Sequence, residues 1–228
     1  MHCNENCTKI LAEDNIVNGW DGLLFNQFKS LTQNLNNMSI LDIGANIGSF
    51  TLVAAQYKNV KRIFAIEPSN SNFERLKHNA SYSVEHNKIK LINSAISNKN
   101  EKHNIFCGNG TCETYNILGD RFTNEHVLQE VNCITLDDLS KKLDQTFDII
   151  KIDVEGAECL VLEGGINTIQ KSKYVFLEIH GEQSNNFRTV LDICNNNNWT
   201  ALCLKHLHKI NTSLPLIDYC YQVVIIPN

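Results

Sequence analysis

Residues 39–50, Ser-Ile-Leu-Asp-Ile-Gly-Ala-Asn-Ile-Gly-Ser-Phe, decide the fold. Ile40, Leu41 and Ile43 are apolar and β-compatible, which predicts a short buried strand from Ser39 to Ile43. Gly44 to Gly48 predicts a tight turn, because glycine accepts positive φ and lets a ligand approach the main chain. From Ser49 the period becomes helical, with Phe50, Val53, Ala54 and Tyr57 on one face. Strand, glycine turn and helix in that order form the nucleotide-cradling unit of an open parallel α/β sheet. Asp42, near the carboxyl end of the strand, falls where a carboxylate can meet a ligand in the crevice. Any βα turn can use glycine, so the assignment depends on the next strand as well.

Working outward, Lys61 to Glu67 (Lys-Arg-Ile-Phe-Ala-Ile-Glu) predicts a second buried strand ending in an acid. Glu67 lies about twenty residues beyond the glycine turn, the position from which a Rossmann-type acid reaches ribose hydroxyls. A diol offers two donors and a carboxylate two acceptor oxygens. Pro68 has no N–H and ends the ladder. The turn is not a dinucleotide fingerprint, because Asn46 stands where a middle glycine would admit a pyrophosphate. It suits a nucleoside without phosphate, such as S-adenosylmethionine. A nicotinamide oxidoreductase is therefore disfavoured.

The 228 residues suffice for one α/β domain with a substantial core and are short for two. A net charge of -5 argues against nucleic acid as the main partner, since phosphate binding wants a basic surface. No apolar run is long enough to span a bilayer, and Met1 to Leu11 lacks a signal-peptide core, so the expected location is cytoplasmic with no membrane partner. Nine cysteines without a C-x-x-C read as reduced thiols, several of them buried, rather than a disulfide framework. Cys107 and Cys112 near His103 match no common zinc module.

In chain order, residues 1–38 predict a helical segment packing on the core and covering the cofactor pocket, with Leu23, Leu24, Phe25, Phe28, Leu31 and Leu35 at helical spacing. Residues 39–228 form the main domain. Ser69 reads as the cap of a helix reaching about Ala80. Ile89 to Ile96 reads as a third strand, with Asn93 and Ser94 near its end as candidates for an adenine edge. Gly108-Asn-Gly110 signals a hairpin. With Val127 to Leu136 it forms a small β insertion bordering the site. Phe147 to Asp153 predicts another core strand, leading into one amphipathic helix through Leu160 and Ile169. Asp153 ends a parallel strand beside the crevice, whereas Glu158 reads as an acid at a helix N-terminus. Tyr174 to Ile179 predicts the next strand, with His180 immediately after it. Trp199 to Leu204 and Cys220 to Ile226 read as a final pair containing the antiparallel strand.

Leu-Asp42-Ile-Gly-Ala-Asn-Ile-Gly, Ile-Glu67-Pro, Thr135-Leu-Asp-Asp-Leu139, Ile-Lys151-Ile-Asp153-Val-Glu155-Gly-Ala-Glu158 and Leu-Glu178-Ile-His180 together resemble the FkbM family of class I methyltransferases. The match covers roughly Ser39 to His180. The resemblance implies an α/β, Rossmann-like sheet of about seven mostly parallel strands, one of them antiparallel, with helices on both faces. It implies S-adenosylmethionine at Asp42, Gly44, Asn46, Gly48, Glu67 and Pro68, with Ser94 and Asp153 nearby, and transfer of a methyl group to a hydroxyl on a small or carbohydrate acceptor. Alternatives are a non-catalytic binding module on this scaffold, or a nitrogen or protein acceptor. A sugar hydroxyl needs a base within hydrogen-bond reach. His180 is the first candidate, since imidazole titrates near neutrality, and Asp153 orients it or serves itself. A divalent ion on Asp153, Glu155 and Glu178 or His180 is not favoured, because strand alternation is taken to point Glu178 away from His180.

Overall fold

A computed structural model describes residues 22–107, 127–180, 184–205, 207, 209–210 and 220–228. Its strands are β1 (Met38–Ile43), β2 (Val60–Ile66), β3 (Ile89–Ile92), β4 (Ala95–Ser97), β5 (Lys102–Cys107), β6 (Val127–Thr135), β7 (Ile149–Ile152), β8 (Tyr174–His180), β9 (Thr200–Cys203) and β10 (Cys220–Ile226). Seven of them form one sheet in the order β3-β2-β1-β7-β8-β10-β9. Pairings among β1, β2, β3, β7 and β8 are parallel, and β10 is antiparallel to both its neighbours. The strand order reverses direction beside β1, and β1 and β7 open the crevice where ligands bind in such sheets.

The central strands are apolar on both faces because helices cover both. On one face Leu41, Ile43, Ile150, Ile152, Val175 and Leu177 pack against α4 (Leu136–Leu143), α5 (Glu158–Glu163), α6 (Ile166–Ile169) and α7 (Ser184–Asn196). On the other, Met38, Ile40, Ile149 and Phe176 pack against α1 (Gly22–Thr32) and α2 (Ser49–Ala55). Phe28 is fully buried there, with ring contacts to Phe50, Tyr57 and Phe176. The remaining helix, α3 (Asn70–Ser81), starts at Ser69, whose side chain accepts from Asn72 N–H. That is the expected cap.

Two secondary-structure elements depart from the sequence reading. The predicted third strand breaks at Asn93 and Ser94. Asn93 Nδ2 donates to the carbonyls of Glu67 (3.0 Å) and Pro68 (3.3 Å), which turns the chain out of the main sheet. The continuation, β4, pairs with β6 in a separate three-stranded sheet, order β4-β6-β5. The helix predicted after Asp153 is two helices, α5 and α6, parted at Gly164 and Gly165. There the backbone passes so close to β4 that a Cβ on Gly164 would lie 2.1 Å from the Ser97 carbonyl oxygen. The Gly108-Asn-Gly110 signal and Cys112 lie outside the described residues; the strands flanking that stretch, β5 and β6, pair antiparallel with Cys107 opposite Val127.

Candidate active site

The glycine turn is built as its composition dictates. Gly44 (φ 77°), Asn46 (φ 52°) and Gly48 (φ 100°) all take left-handed backbone. Gly44 allows no side chain, because a Cβ would stand 1.8 Å from the carbonyl oxygen of Asp153, directly after the neighbouring strand β7. Asparagine tolerates the left-handed region better than most residues, which suits it to position 46. Its N–H donates to Glu67 Oε2 at 2.8 Å, while Ser69 N–H donates to Oε1 at 2.9 Å. Glu67 thus bridges the two βα loops, with both oxygens held by main-chain donors. Burial pushes its carboxyl up to about 7, against the pull of those two N–H groups.

A cavity opens between these loops, bordered by Gly44, Asn46, Glu67, Pro68, Ser94 and Ile105, and closed at another side by Asp153, Val154 and Glu155. Ile105 comes from β5, so the β insertion supplies part of the wall. Of the residues assigned to the cofactor from sequence, Gly44, Asn46, Glu67, Pro68, Ser94 and Asp153 border this cavity. Asp42 does not: its side chain is fully buried beneath the turn, accepting from Thr51 Oγ1 at 2.6 Å. Gly48 instead starts α2 and packs on Leu76. Helix α1 also does not border it, so the cover expected from the N-terminal segment is not supplied by the described part of that segment.

Lys151 explains the burial of Asp42. The two residues are register partners on β1 and β7. Lys151 Nζ lies 3.5 Å from Asp42 Oδ1, 3.2 Å from Asp153 Oδ2, and donates to the Gly44 carbonyl at 3.0 Å. Burial works against its charge, but Asp153 and Asp42 outweigh it and hold the ammonium above the ordinary lysine range. One cation therefore ties the glycine turn to Asp153. Sequence reading assigned Lys151 no role, because nothing local marks a lysine in an apolar strand as buried.

At the end of β8, His180 is surrounded by acids. Its Nδ1 donates to Glu158 Oε1 at 3.1 Å. Its Nε2 lies 3.4 Å from Glu155 Oε2, 3.5 Å from Glu178 Oε1 and 3.8 Å from Asp153 Oδ1. Glu178 is thus on the same side as His180, correcting the expectation that it points away: residues two apart on a strand share a face. Glu158 does more than sit at a helix start. It is fully buried, accepts from Gly156 N–H at 2.8 Å and Asn186 Nδ2 at 2.7 Å, and fixes the imidazole. Burial opposes charge on the ring, yet Glu158, Glu178 and Glu155 push His180 up to about 10. The free ring therefore keeps its proton at neutral pH, unlike the base expected from sequence. Burial likewise lifts Glu155 to about 7, against the pull of His180.

A glycine turn with Asn46 at its middle left-handed position, an acid bridging two βα loops, and a seven-stranded sheet with one reversed strand define a Rossmann-like methyltransferase fold. The chain belongs to the FkbM methyltransferase family, whose domain model (methyltransferase FkbM domain) matches residues 42–198. It is similar to the 2-O-methyltransferase NoeI of Sinorhizobium fredii, 25% identical over 63% of this chain and 64% of NoeI. It is also similar to the hexuronic acid methyltransferase AglP of Haloferax volcanii, 28% identical over 61% of this chain and 54% of AglP. The matches therefore span about half to two thirds of these relatives' lengths. Among solved structures it resembles TrmK of M. capricolum in complex with S-adenosyl-homocysteine, with a TM-score of 0.50, 15% identity, and coverage of 89% of this chain and 67% of that one. Among the described residues no helix is long and apolar enough to cross a membrane.

Proposed function

We propose that the protein transfers a methyl group from S-adenosylmethionine to a hydroxyl of a sugar or glycan. The observation that carries this reading is Glu67, which borders the cavity at the loop ends of β1 and β2 with both carboxylate oxygens held by main-chain donors. Each oxygen takes one main-chain donor and has a second lone pair left for a ribose hydroxyl. The Asp153 and Glu155 carboxylates on the same cavity favour a cationic sulfonium over a neutral ligand. AglP supports a carbohydrate acceptor, NoeI supports oxygen as the methylated atom, and TrmK supports the cofactor.

The methyl on a sulfonium is already activated, so the protein's main contribution is to hold the acceptor oxygen about 3 Å away and in line. Bound S-adenosylmethionine would supply an electrophilic methyl to the acceptor oxygen and keep the electron pair of the broken carbon–sulfur bond on its sulfur, which leaves the protein's residues to orient the acceptor and take its proton. The hydroxyl proton passes to Asp153, whose Oδ1 faces the positively charged His180 ring. Lys151 keeps the Asp153 carboxylate turned, with Oδ2 on the ammonium and Oδ1 toward His180.

Titration calorimetry with S-adenosylmethionine and S-adenosylhomocysteine tests the first half. Binding by neither would sink the proposal. Labelled-methyl transfer to a panel of sugars and nucleotide-sugars tests the second. Asp153→Asn is expected to slow transfer by about a hundredfold or more.

A further inference from the structure

We propose that Asp153, Glu155 and His180 form a site for an oxygen-preferring divalent cation such as Mn2+ or Mg2+, on which the acceptor hydroxyl is held. The inference rests on the function proposed above and refines it: Asp153 and His180 would act on the hydroxyl through the ion.

The spacing of the donor atoms is the main observation. One atom from each residue lies within 4.8 Å of the other two. Nε2 of His180 stands 3.4 Å from Glu155 Oε2 and 3.8 Å from Asp153 Oδ1. Glu178 Oε1, at 3.5 Å, lies beside them. Glu178 is a hydrogen-bond partner of the ring, while the Glu155 and Asp153 oxygens, at 3.4 and 3.8 Å, stand beyond the about 2.9 Å of an optimal N–H···O bond. They do fit ligands around a shared ion. Bonds of about 2.1 Å place neighbouring octahedral ligands about 3 Å apart and opposite ones about 4.2 Å apart.

The orientation of the ring is a second observation, made outside the donor set. Buried Glu158 accepts from Nδ1, and Asn186 donates to both Glu158 Oε2 and the His180 carbonyl, each at 2.7 Å. Metal-binding histidines are commonly fixed this way, with a carboxylate on the far nitrogen and the near one aimed at the metal. Lys151 occupies Asp153 Oδ2 and leaves Oδ1 for the ion. Two carboxylates and one imidazole match hard or borderline octahedral cations better than thiophilic ones. Asp153 and Glu155 also border the cofactor cavity, so an ion there would adjoin bound S-adenosylmethionine and the incoming hydroxyl. It would orient that oxygen and lower its pKa.

The test is Mn2+ binding to chelator-treated full-length protein, followed by electron paramagnetic resonance and calorimetry. One saturable Mn2+ per chain is expected. Glu155→Gln and His180→Ala should each weaken it by about tenfold or more. Glu130→Gln, an exposed partner of Lys102, should leave it unchanged. Absence of saturable binding up to millimolar Mn2+ overturns the proposal, as does binding that Glu155→Gln leaves intact. If His180→Ala does not fold, Glu155→Gln, at a partly exposed side chain, decides alone. The same samples are titrated with S-adenosylmethionine. Cofactor binding without Mn2+ removes the ion and spares the methyltransferase reading. Mn2+ binding without cofactor does the reverse.

Discussion

Cofactor affinity should depend on pH through Glu67. This carboxyl is 4% exposed, and burial raises it from 4.5 to about 7. A rise of that size is worth about 3 kcal/mol between its two protonation states. Its sign for the free protein is set by the raised folded value. The stabilisation is fully present below the unfolded value of 4.5 and is lost as pH climbs through about 7, because the folded protein must then carry a buried charge. Cofactor binding runs the other way. A ribose diol donates hydrogen bonds and needs the ionised carboxylate, so below pH 7 binding must first expel a proton. The dissociation constant should rise about tenfold for each pH unit below 7 and level off above it. Calorimetry in two buffers of different ionisation enthalpy reads the proton directly, with about half a proton released per cofactor at pH 7 and almost none at pH 8. Glu67→Gln removes the titration and turns an amide donor toward either Asn46 N–H or Ser69 N–H. It should bind about ten- to a hundredfold more weakly, with no pH dependence. An affinity that stays flat between about pH 5.5 and 8 in the wild type, and equals that of Glu67→Gln, would refute the ribose assignment.

Three further perturbations probe the scaffold. Gly44→Ala should cut cofactor affinity by at least about tenfold and lower the melting temperature, since its Cβ meets the Asp153 carbonyl at 1.8 Å in a left-handed backbone; unchanged affinity would show that the turn does not touch the cofactor. Lys151→Met should destabilise by about 3–5 kcal/mol in urea titrations by stranding Asp42 and Asp153, and adding Asp42→Asn should recover much of the loss. If the double variant is no more stable than the single one, Asp42 is not the stranded charge. Phe28→Ala should cost about 3–5 kcal/mol, because its fully buried ring joins α1 to Phe50 and Phe176 on the sheet. A loss under about 1 kcal/mol would mean that α1 is a loosely held cover.

The elements legible in the sequence are those whose signal is local. Ile40, Leu41 and Ile43 form a strand because neighbouring residues are apolar, and Ser69 caps a helix because its own hydroxyl reaches Asn72 N–H. Glu67, Asp153 and His180 could be picked out as ends of buried strands, and the sheet brings the last two to one place. Nothing local announces Lys151, because its role is set by β1, more than a hundred residues earlier, where Asp42 is its register partner and Gly44 its acceptor. The same holds for Glu158 and Glu178. Only the packing of α5 on β8, and the face on which β8 turns its alternate side chains, surround the imidazole with carboxylates and settle which charge it must carry. Chain-local chemistry names strands and caps; the electrostatics of the site come from residues that become neighbours only when the sheet closes, where low dielectric makes each missing or added charge count.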